Sequence, residues 1–211
     1  MTSILVNTTT PYPMIYAEHE GVCVSYASDS YNSHSQNLIP LIQGFLQAHK
    51  IKLTDVGTVF VITGPGSYTG IRIGVALALG LKVALKLNVI PLTLFQVYYL
   101  KYLHDDFSQL LILIDSKKNA EYYYQSLLFG ESVGKSGVLP LANISDLVQD
   151  NCVISGEFSQ GEVGRGVSSM GVRYSHGDFL PQLVFQNKLY LQELDSKLEA
   201  FYLNKLSFSI K

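Results

Sequence analysis

Residues 64–74 read Gly-Pro-Gly-Ser-Tyr-Thr-Gly-Ile-Arg-Ile-Gly, and they connect a β-branched run at 58–63 to an apolar, proline-free stretch at 71–87. These compositions predict a buried strand followed by a helix of four or five turns. The glycines permit a sharp turn between the two elements. Ser67 or Thr69 can then accept hydrogen bonds from the first N–H groups of the helix.

The glycine spacing does not match either nucleotide-binding motif. A Walker loop needs four residues between its first and last glycine and then a lysine, but the first lysine after this turn is Lys82. In the dinucleotide motif G-x-G-x-x-G, Thr69 occupies the position of the third glycine. The sequence therefore points away from a phosphate-binding loop.

Small residues recur along two sides of the predicted helix. The first row is Gly66, Gly70, Gly74 and Ala78, and the second, on roughly the opposite side, is Ala76, Gly80 and Ala84. Glycine inside a helix costs about 0.5–1 kcal/mol, so we interpret such rows as places of close backbone approach. We expect one face on the sheet and another against a second helix. The alternative is that the helix is simply a buried core element.

The run GPGSYTGIRIG resembles GPGSFTGxRIG, the signature of the TsaB (YeaZ) family, with Tyr68 in place of phenylalanine. The resemblance implies a two-lobed α/β fold of the actin, DnaK-chaperone and sugar-kinase (ribonuclease H-like) group, with a mixed sheet in each lobe. It also implies a function. Members act as non-catalytic partners of TsaD, a Gcp-like protein, in forming threonylcarbamoyladenosine beside the tRNA anticodon.

A strand–turn–strand arrangement occurs twice, because the apolar runs at 4–6 and 110–114 predict buried strands that end at Asn7 and Asp115. A hairpin turn is predicted at Glu20-Gly21 in the first half. We therefore predict an N-terminal lobe at 1–106, carrying the glycine motif and the partner-binding helices, and a smaller, divergent lobe at 107–211. Further helices are predicted at 34–49, 94–103, 143–148 and 180–194. The Gly- and Ser-rich segment 156–171 reads as a mobile connection.

Composition restricts the classes of function. Only 15% of the 211 residues are charged, against about 25% in an ordinary domain, and this favours a permanent partner. The net charge of −2 argues against binding of RNA by this chain alone. Cys23 and Cys152 are isolated and read as buried reduced thiols. With no basic region before the first apolar residues, and an apolar run at 73–81 only half a membrane span long, we expect a cytoplasmic protein without membrane contact.

The sequence supports no catalytic centre. No two of the five histidines are three to five residues apart, so no metal site is predicted. Asn7 stands where family members often carry Asp, and an amide cannot act as a base. Asn7, Thr8 and Asp115 are the positions considered for nucleotide binding. We predict no cofactor of this chain, and ATP held by a partner or at a subunit interface is left open.

Residues 34–40 resemble the family segment His-Ser-x-x-Leu-Leu-Pro. The resemblance implies that the helix at 34–49 and the glycine-entered helix lie side by side and pack on TsaD. The predicted partner interface comprises His34, Leu38, Leu41, Ile42, Phe45, Ser67, Tyr68, Ile71, Arg72, Gly74, Ala78 and Leu81. The alternative for its apolar members is the intramolecular core.

The same resemblance implies a set of partners. They are a TsaD-like subunit in a heterodimer, a TsaE-like ATPase, a second copy of the chain when TsaD is absent, and tRNA only through the complex. Two rival functions are an ATP-dependent phosphotransferase or ATPase of the same fold and a Gcp-like metallopeptidase.

Overall fold

The computed structural model describes residues 2–27, 34–129, 134–167, 171–176 and 181–193, without the side chains at 34–37, 166, 176 and 193. By their contacts these residues form two units. One contains the first 94 residues and the segment that starts at Pro181, and the other contains the residues between them. The boundary predicted between the two lobes, after residue 106, stays a prediction.

The first unit is built on a mixed five-stranded sheet. Its strands are β1 (Thr2–Asn7), β2 (Met14–His19), β3 (Val22–Ala27), β4 (Val56–Ile62) and β5 (Asn88–Leu92). Their order is β3-β2-β1-β4-β5, with β1, β2 and β3 antiparallel and β1, β4 and β5 parallel. Every residue of β1 and β4 is buried, as their continuous apolar runs predict. The predicted hairpin turn falls at Glu20 and Gly21, both at positive φ.

Two long helices belong to this unit. Helix α1 (His34–Ala48) contains Pro40, and helix α2 (Tyr68–Leu85) follows the glycine turn. Helix α2 begins three residues earlier than predicted because Ser67 caps it. The Gly70 N–H donates to Ser67 Oγ at 3.2 Å, which confirms one of the two predicted caps.

The second unit repeats the same sheet. Its strands are β6 (Gln109–Asp115), β7 (Glu121–Leu128), β8 (Lys135–Pro140), β9 (Cys152–Glu157) and β10 (Arg173–His176). Read in reverse, their order β10-β9-β6-β7-β8 repeats that of the first sheet. Strands β6, β7 and β8 are antiparallel, and β6, β9 and β10 are parallel. Asn7 and Asp115 end the two equivalent central strands. The duplicated mixed sheet confirms the predicted fold class.

The remaining helices are short. They are α3 (Leu94–Tyr99), α4 (Gln160–Gly166), α5 (Pro181–Gln186) and α6 (Lys188–Glu193), with 3₁₀ turns at Leu53–Asp55, Leu100–Tyr102 and Leu141–Leu147. The helix predicted at 180–194 is therefore two helices within the residues described.

The prediction that 156–171 is a connection was wrong, because this segment contains α4. Val163 is 1% exposed and packs in the core of the second unit, so its burial stabilises a helix in spite of the surrounding glycines. Strands β8 and β10 were not predicted. The residues of β8, Lys-Ser-Gly-Val-Leu-Pro, have no alternating apolar pattern, and the strand forms through its pairing with β7.

Candidate protein-binding groove

The first row of small residues packs against the residues that follow β1. A Cβ on Gly70 would overlap the carbonyl oxygen of Thr8, and one on Gly74 would lie 2.5 Å from Thr8 Oγ1. Thr8 Oγ1 donates to the Gly70 carbonyl oxygen at 2.7 Å, and Ser67 N–H donates to the Thr9 carbonyl oxygen at 2.7 Å. The expected close backbone approach is present, and the neighbour is the chain's own segment 8–9.

Most apolar residues of the predicted interface lie in the core of their own unit. Their exposed fractions are at most 5%, for Leu38, Ile42, Phe45, Ile71 and Ala78, and Gly74 is also buried. Leu41 and Leu81 are half-buried against the same core. Within the chain, these residues therefore lie in the intramolecular core, which is the alternative given in the sequence analysis. Their part in a partner interface remains a prediction.

A groove of about 950 Å³ is lined by residues of α1, of α2 and of segment 51–53. It is lined by Leu38, Ile39, Pro40, Ile42, Gln43, Leu46, Gln47, Ile51, Lys52, Leu53, Ile73, Ala76, Leu77, Gly80, Leu81 and Ala84. Three of the predicted residues are among them, namely Leu38, Ile42 and Leu81. Among the described residues that line the groove, Lys52 alone is charged.

The second row of small residues, Ala76, Gly80 and Ala84, lines this groove and is exposed. A Cβ added to Gly80 would meet nothing within 4 Å, so the glycine leaves open space beside the helix. The predicted interface omitted this row together with Ile39 and Gln43. The signal for the row was present in the sequence, since its four-residue spacing is as regular as that of the first row.

Large apolar side chains are exposed on both helices, and one of them, Ile39, lines the groove. Ile39 is 60% exposed, Leu79 45% and Val83 80%. By length and composition alone α2 could also cross a membrane, since its 18 residues have a mean hydropathy of 1.5 and only 22% of them are buried. Its four buried residues include Gly70 and Gly74, which pack on segment 8–9. Helix α2 is thus a sheet-covering helix with one uncovered apolar face.

The N-terminal end of α2 is polar. The Arg72 guanidinium carbon lies 4.4 Å from the centroid of the Tyr68 ring, a cation–π arrangement between two exposed side chains. Ser67 serves as the helix cap. The backbone of His34 begins α1, and its side chain lies outside the described part of the structure.

The residues considered for nucleotide binding form hydrogen bonds with neighbouring residues of the chain. The buried Asn7 Oδ1 accepts hydrogen bonds from the Thr9 N–H at 3.0 Å and from Thr9 Oγ1 at 2.7 Å. Asp115 Oδ1 accepts from the Lys117 N–H at 2.7 Å, and Asp115 Oδ2 pairs with Lys117 Nζ at 2.8 Å. The hydrogen bond that Lys117 Nζ donates to Asp115 raises the pKa of Lys117. Each polar group thus stabilises the loop that follows its strand.

Neither cysteine is a ready nucleophile. Cys152 is buried, as predicted, and burial raises its pKa to about 12. Cys23 is only half-buried, because its strand β3 is largely exposed, so the prediction of a buried thiol was wrong there. Partial burial and then Glu18 raise the pKa of Cys23. Both thiols are therefore protonated near neutral pH. Within the described ranges, no group of three or more His, Cys, Asp or Glu side chains could hold a metal ion.

Comparison with known proteins agrees with this architecture. The family model described as TsaD, tRNA N6-adenosine threonylcarbamoyltransferase, matches residues 3–157. The tRNA threonylcarbamoyladenosine biosynthesis protein TsaB of Escherichia coli K12 is 26% identical over 124 residues, which cover 58% of this chain and 54% of that protein. The TsaB protein of Buchnera aphidicola subsp. Baizongia pistaciae is 27% identical over 169 residues, covering 78% of this chain and 75% of that protein.

Solved structures show the same fold. YeaZ from Pseudomonas aeruginosa superposes with a TM-score of 0.63 at 22% identity, covering 90% of this chain and 94% of that one. A second Pseudomonas aeruginosa structure, described as similar to peptidase YEAZ, gives a TM-score of 0.65 at 20% identity and covers 96% and 99%. The fold and the groove define an α/β protein with a duplicated mixed sheet and an uncovered pair of helices. The chain belongs to the family of the TsaD model, and within it to the TsaB (YeaZ) family.

Proposed function

We propose that this chain is the non-catalytic partner of a TsaD-like subunit in the biosynthesis of threonylcarbamoyladenosine in tRNA. The observation that carries the proposal is the uncovered apolar groove between α1 and α2, lined by Ala76, Gly80 and Ala84. A large exposed apolar surface on a chain with few charges favours a protein partner. Family membership and the names of the relatives supply the pathway.

The absence of catalysis by this chain is part of the proposal. Asn7 offers an amide at the end of β1, and its oxygen is already used by Thr9. Asp115 is paired with Lys117. These contacts favour a structural role for both residues, and the chemistry would then belong to the TsaD-like subunit.

The proposed assembly is a heterodimer with the TsaD-like subunit. The groove would accept a pair of partner helices and, when TsaD is absent, a second copy of this chain. A TsaE-like ATPase would join the complex, and ATP would bind to the partner or at a subunit interface. The tRNA would be held through the complex, since this chain has a net charge of −2. The proposed location is the cytoplasm, without membrane contact.

Gly80→Leu tests the groove directly. The new side chain meets nothing within 4 Å at its Cβ, so the chain should fold, while the added bulk prevents close approach of a partner helix. We expect the affinity for the purified TsaD-like subunit of the same organism to fall at least about 100-fold, since overpacked interfaces lose several kcal/mol. Isothermal titration calorimetry measures the loss, and circular dichroism verifies folding.

Gly161→Leu is the matched control. Gly161 is an exposed glycine of α4 whose Cβ would also meet nothing within 4 Å, but it lies outside the groove. Wild-type affinity is expected for this variant. Unchanged binding by Gly80→Leu would place the interface elsewhere, and no complex with the wild-type chain would remove the proposed function. ATP turnover by the chain alone, abolished by Asp115→Ala, would instead favour the rival ATPase.

A further inference from the structure

Strand β3 is an edge of the first sheet that lacks the features which usually prevent pairing with another strand. Its only neighbour among the described strands is β2, with which it forms a regular antiparallel ladder. Its residues, Val-Cys-Val-Ser-Tyr-Ala, include no charge, proline or glycine. An uncharged edge of this kind readily accepts a further strand, and natural proteins therefore shorten, charge or cover it.

The other three edges of the two described sheets carry such protection. Strand β5 contains Pro91, and β8 begins with Lys135 and ends with Pro140. Strand β10 has four residues and begins with Arg173. Because proline lacks an N–H group and a charged side chain resists burial, these edges disfavour strand addition. Strand β3 is therefore the edge best suited to a further strand.

One face of β3 carries apolar side chains that are only partly covered. The partners of Val24 and Tyr26 on β2 are buried, so this is the core face of the sheet. Val24 packs partly against the core, whereas Val22 is 60% exposed and Tyr26 37% exposed. The opposite face includes Cys23 and Ser25. A strand beside β3 would extend the core face if its apolar side chains alternated with polar ones.

Segment 206–211 has this alternation. It reads Leu-Ser-Phe-Ser-Ile-Lys, and it lies outside the described residues. We propose that this segment adds to the first sheet as a strand antiparallel to β3 of the same chain, an inference that goes beyond the proposed function and does not depend on it. The proposed pairs are Leu206 with Tyr26, Phe208 with Val24 and Ile210 with Val22 on the core face, and Ser207 with Ser25 and Ser209 with Cys23 on the other.

The position of α6 puts this segment within reach of β3. Lys188 Nζ, at the start of α6, lies 3.7 Å from Glu18 Oε2 on β2, the strand beside β3. Helix α6 ends at Glu193. The connecting residues 194–205 span up to about 40 Å when extended, which is about twice the length of a six-residue strand. The connection can therefore bring the segment to either end of β3.

The direction of the added strand follows from the sheet and from charge. An antiparallel strand continues the pattern of β1, β2 and β3. It also brings Lys211 beside Glu20, an exposed acid of the hairpin turn. A second copy of β3 could pair with the same edge, but a segment of the same chain competes at an effective concentration in roughly the millimolar range. The covalent connection therefore favours segment 206–211 over a second chain.

Disulfide formation by Ser209→Cys tests the proposed register. Residue 209 would lie opposite Cys23 with its Cα about 4.5–5.5 Å away, a distance that a disulfide bridges. Oxidation with copper-phenanthroline in mildly alkaline buffer should link positions 23 and 209 within one chain. Peptide mass spectrometry identifies the link, and non-reducing electrophoresis shows whether it joins one chain or two. Ser207→Cys is the matched control: it lies on the same face opposite Ser25, and it should react about tenfold more slowly.

Phe208→Asp tests whether apolar pairing holds the segment. A carboxylate opposite Val24 on the core face would lose its hydration, so the segment should leave the edge. In this background the rate of disulfide formation by Ser209→Cys should fall about tenfold. Ser207→Asp adds the same charge on the polar face and should leave the rate unchanged. Circular dichroism verifies that each variant folds.

Four results would overturn the inference. The first is that Ser209→Cys forms no disulfide with Cys23. The second is equal rates for Ser209→Cys and Ser207→Cys, which would show that the segment has no fixed register on β3. A disulfide found only between two chains would assign the edge to a second copy. An unchanged rate in the Phe208→Asp background would show that the core face of the segment does not pack on β3.

Discussion

Individual glycines of α2 have opposite surroundings. Gly70 touches the backbone of Thr8, whereas Gly80, ten residues later on the same helix, faces open space. The first glycine is required for packing within the chain, because any side chain would strike a carbonyl oxygen held close to the helix. The second is unfavourable for the isolated helix, and we attribute its presence to the close approach of a partner.

Alanine at these two positions should change stability in opposite directions. Gly70→Ala forces its Cβ into the Thr8 carbonyl and should lower the free energy of unfolding by about 1–3 kcal/mol, the range for overpacking. Gly80→Ala should raise it by about 0.5–1 kcal/mol through helix propensity. Urea unfolding followed by circular dichroism compares the two variants. A Gly80→Ala protein less stable than the wild type would show that this position is not open in the folded chain.

At the scale of elements, a buried glutamine joins three parts of the second unit. Gln109 begins β6, and its Nε2 donates to Ser126 Oγ at 2.8 Å and to the Leu147 carbonyl oxygen at 2.7 Å. Its Oε1 accepts from the Gln149 N–H at 2.8 Å. One side chain thereby holds β7 and the end of the 3₁₀ turn Leu141–Leu147 against the central strand.

Gln109→Leu should destabilise the protein. Leucine fills a similar volume but leaves the Leu147 carbonyl and the Gln149 N–H without their hydrogen bonds, at a cost of about 2–4 kcal/mol. The loss is measured as a lower midpoint of urea unfolding. Gln125→Leu on β7 is the matched control, because Gln125 is half-buried and forms no side-chain hydrogen bond among the described residues. Equal effects of the two substitutions would show that the Gln109 network contributes nothing specific.

At the scale of the whole molecule, the described residues with clearly perturbed pKa values all have raised ones. Burial is the leading cause for Cys23, Cys152, Tyr122 and Tyr174, and the hydrogen bond to Asp115 is the leading cause for Lys117. The folded chain therefore retains these protons to higher pH than the unfolded chain does. The retained protons contribute fully to the free energy of unfolding below the pKa values of the unfolded chain. This contribution is lost as the pH rises through the pKa values of the folded chain.

We expect the free energy of unfolding to fall as the pH rises above 9, the unperturbed value for cysteine. Each proton that the folded chain retains and the unfolded chain loses lowers the free energy of unfolding by about 1.4 kcal/mol per pH unit. For Cys152 this interval extends to its folded pKa of about 12. Urea unfolding between pH 8 and 10.5 measures the slope, and Cys152→Ala should reduce it above pH 9. A slope unchanged by this substitution would contradict the assignment of a raised pKa to Cys152.

Some strands and helices could be predicted from the sequence, and others could not. The strands β1, β4 and β6 were predicted because continuous apolar runs signal burial on both faces. Strand β8 and helix α4 were missed, since a Gly- and Ser-rich or weakly apolar segment acquires structure only from the neighbours it packs on. The nucleotide candidates Asn7 and Asp115 were placed correctly at equivalent strand ends. Their engagement by Thr9 and Lys117 depends on loop geometry that spacing does not encode.

The strand–glycine turn–helix unit, the duplication, the family resemblance and the two small rows on α2 could all be predicted from the amino-acid sequence. Which row faces the sheet and which faces outward became apparent only from the packing of the folded chain. A four-residue period fixes which residues share a side of a helix, but the direction of that side depends on what the helix packs against. Because α2 is apolar nearly all round, its own composition could not indicate the buried side; the contact of Gly70 and Gly74 with Thr8 does.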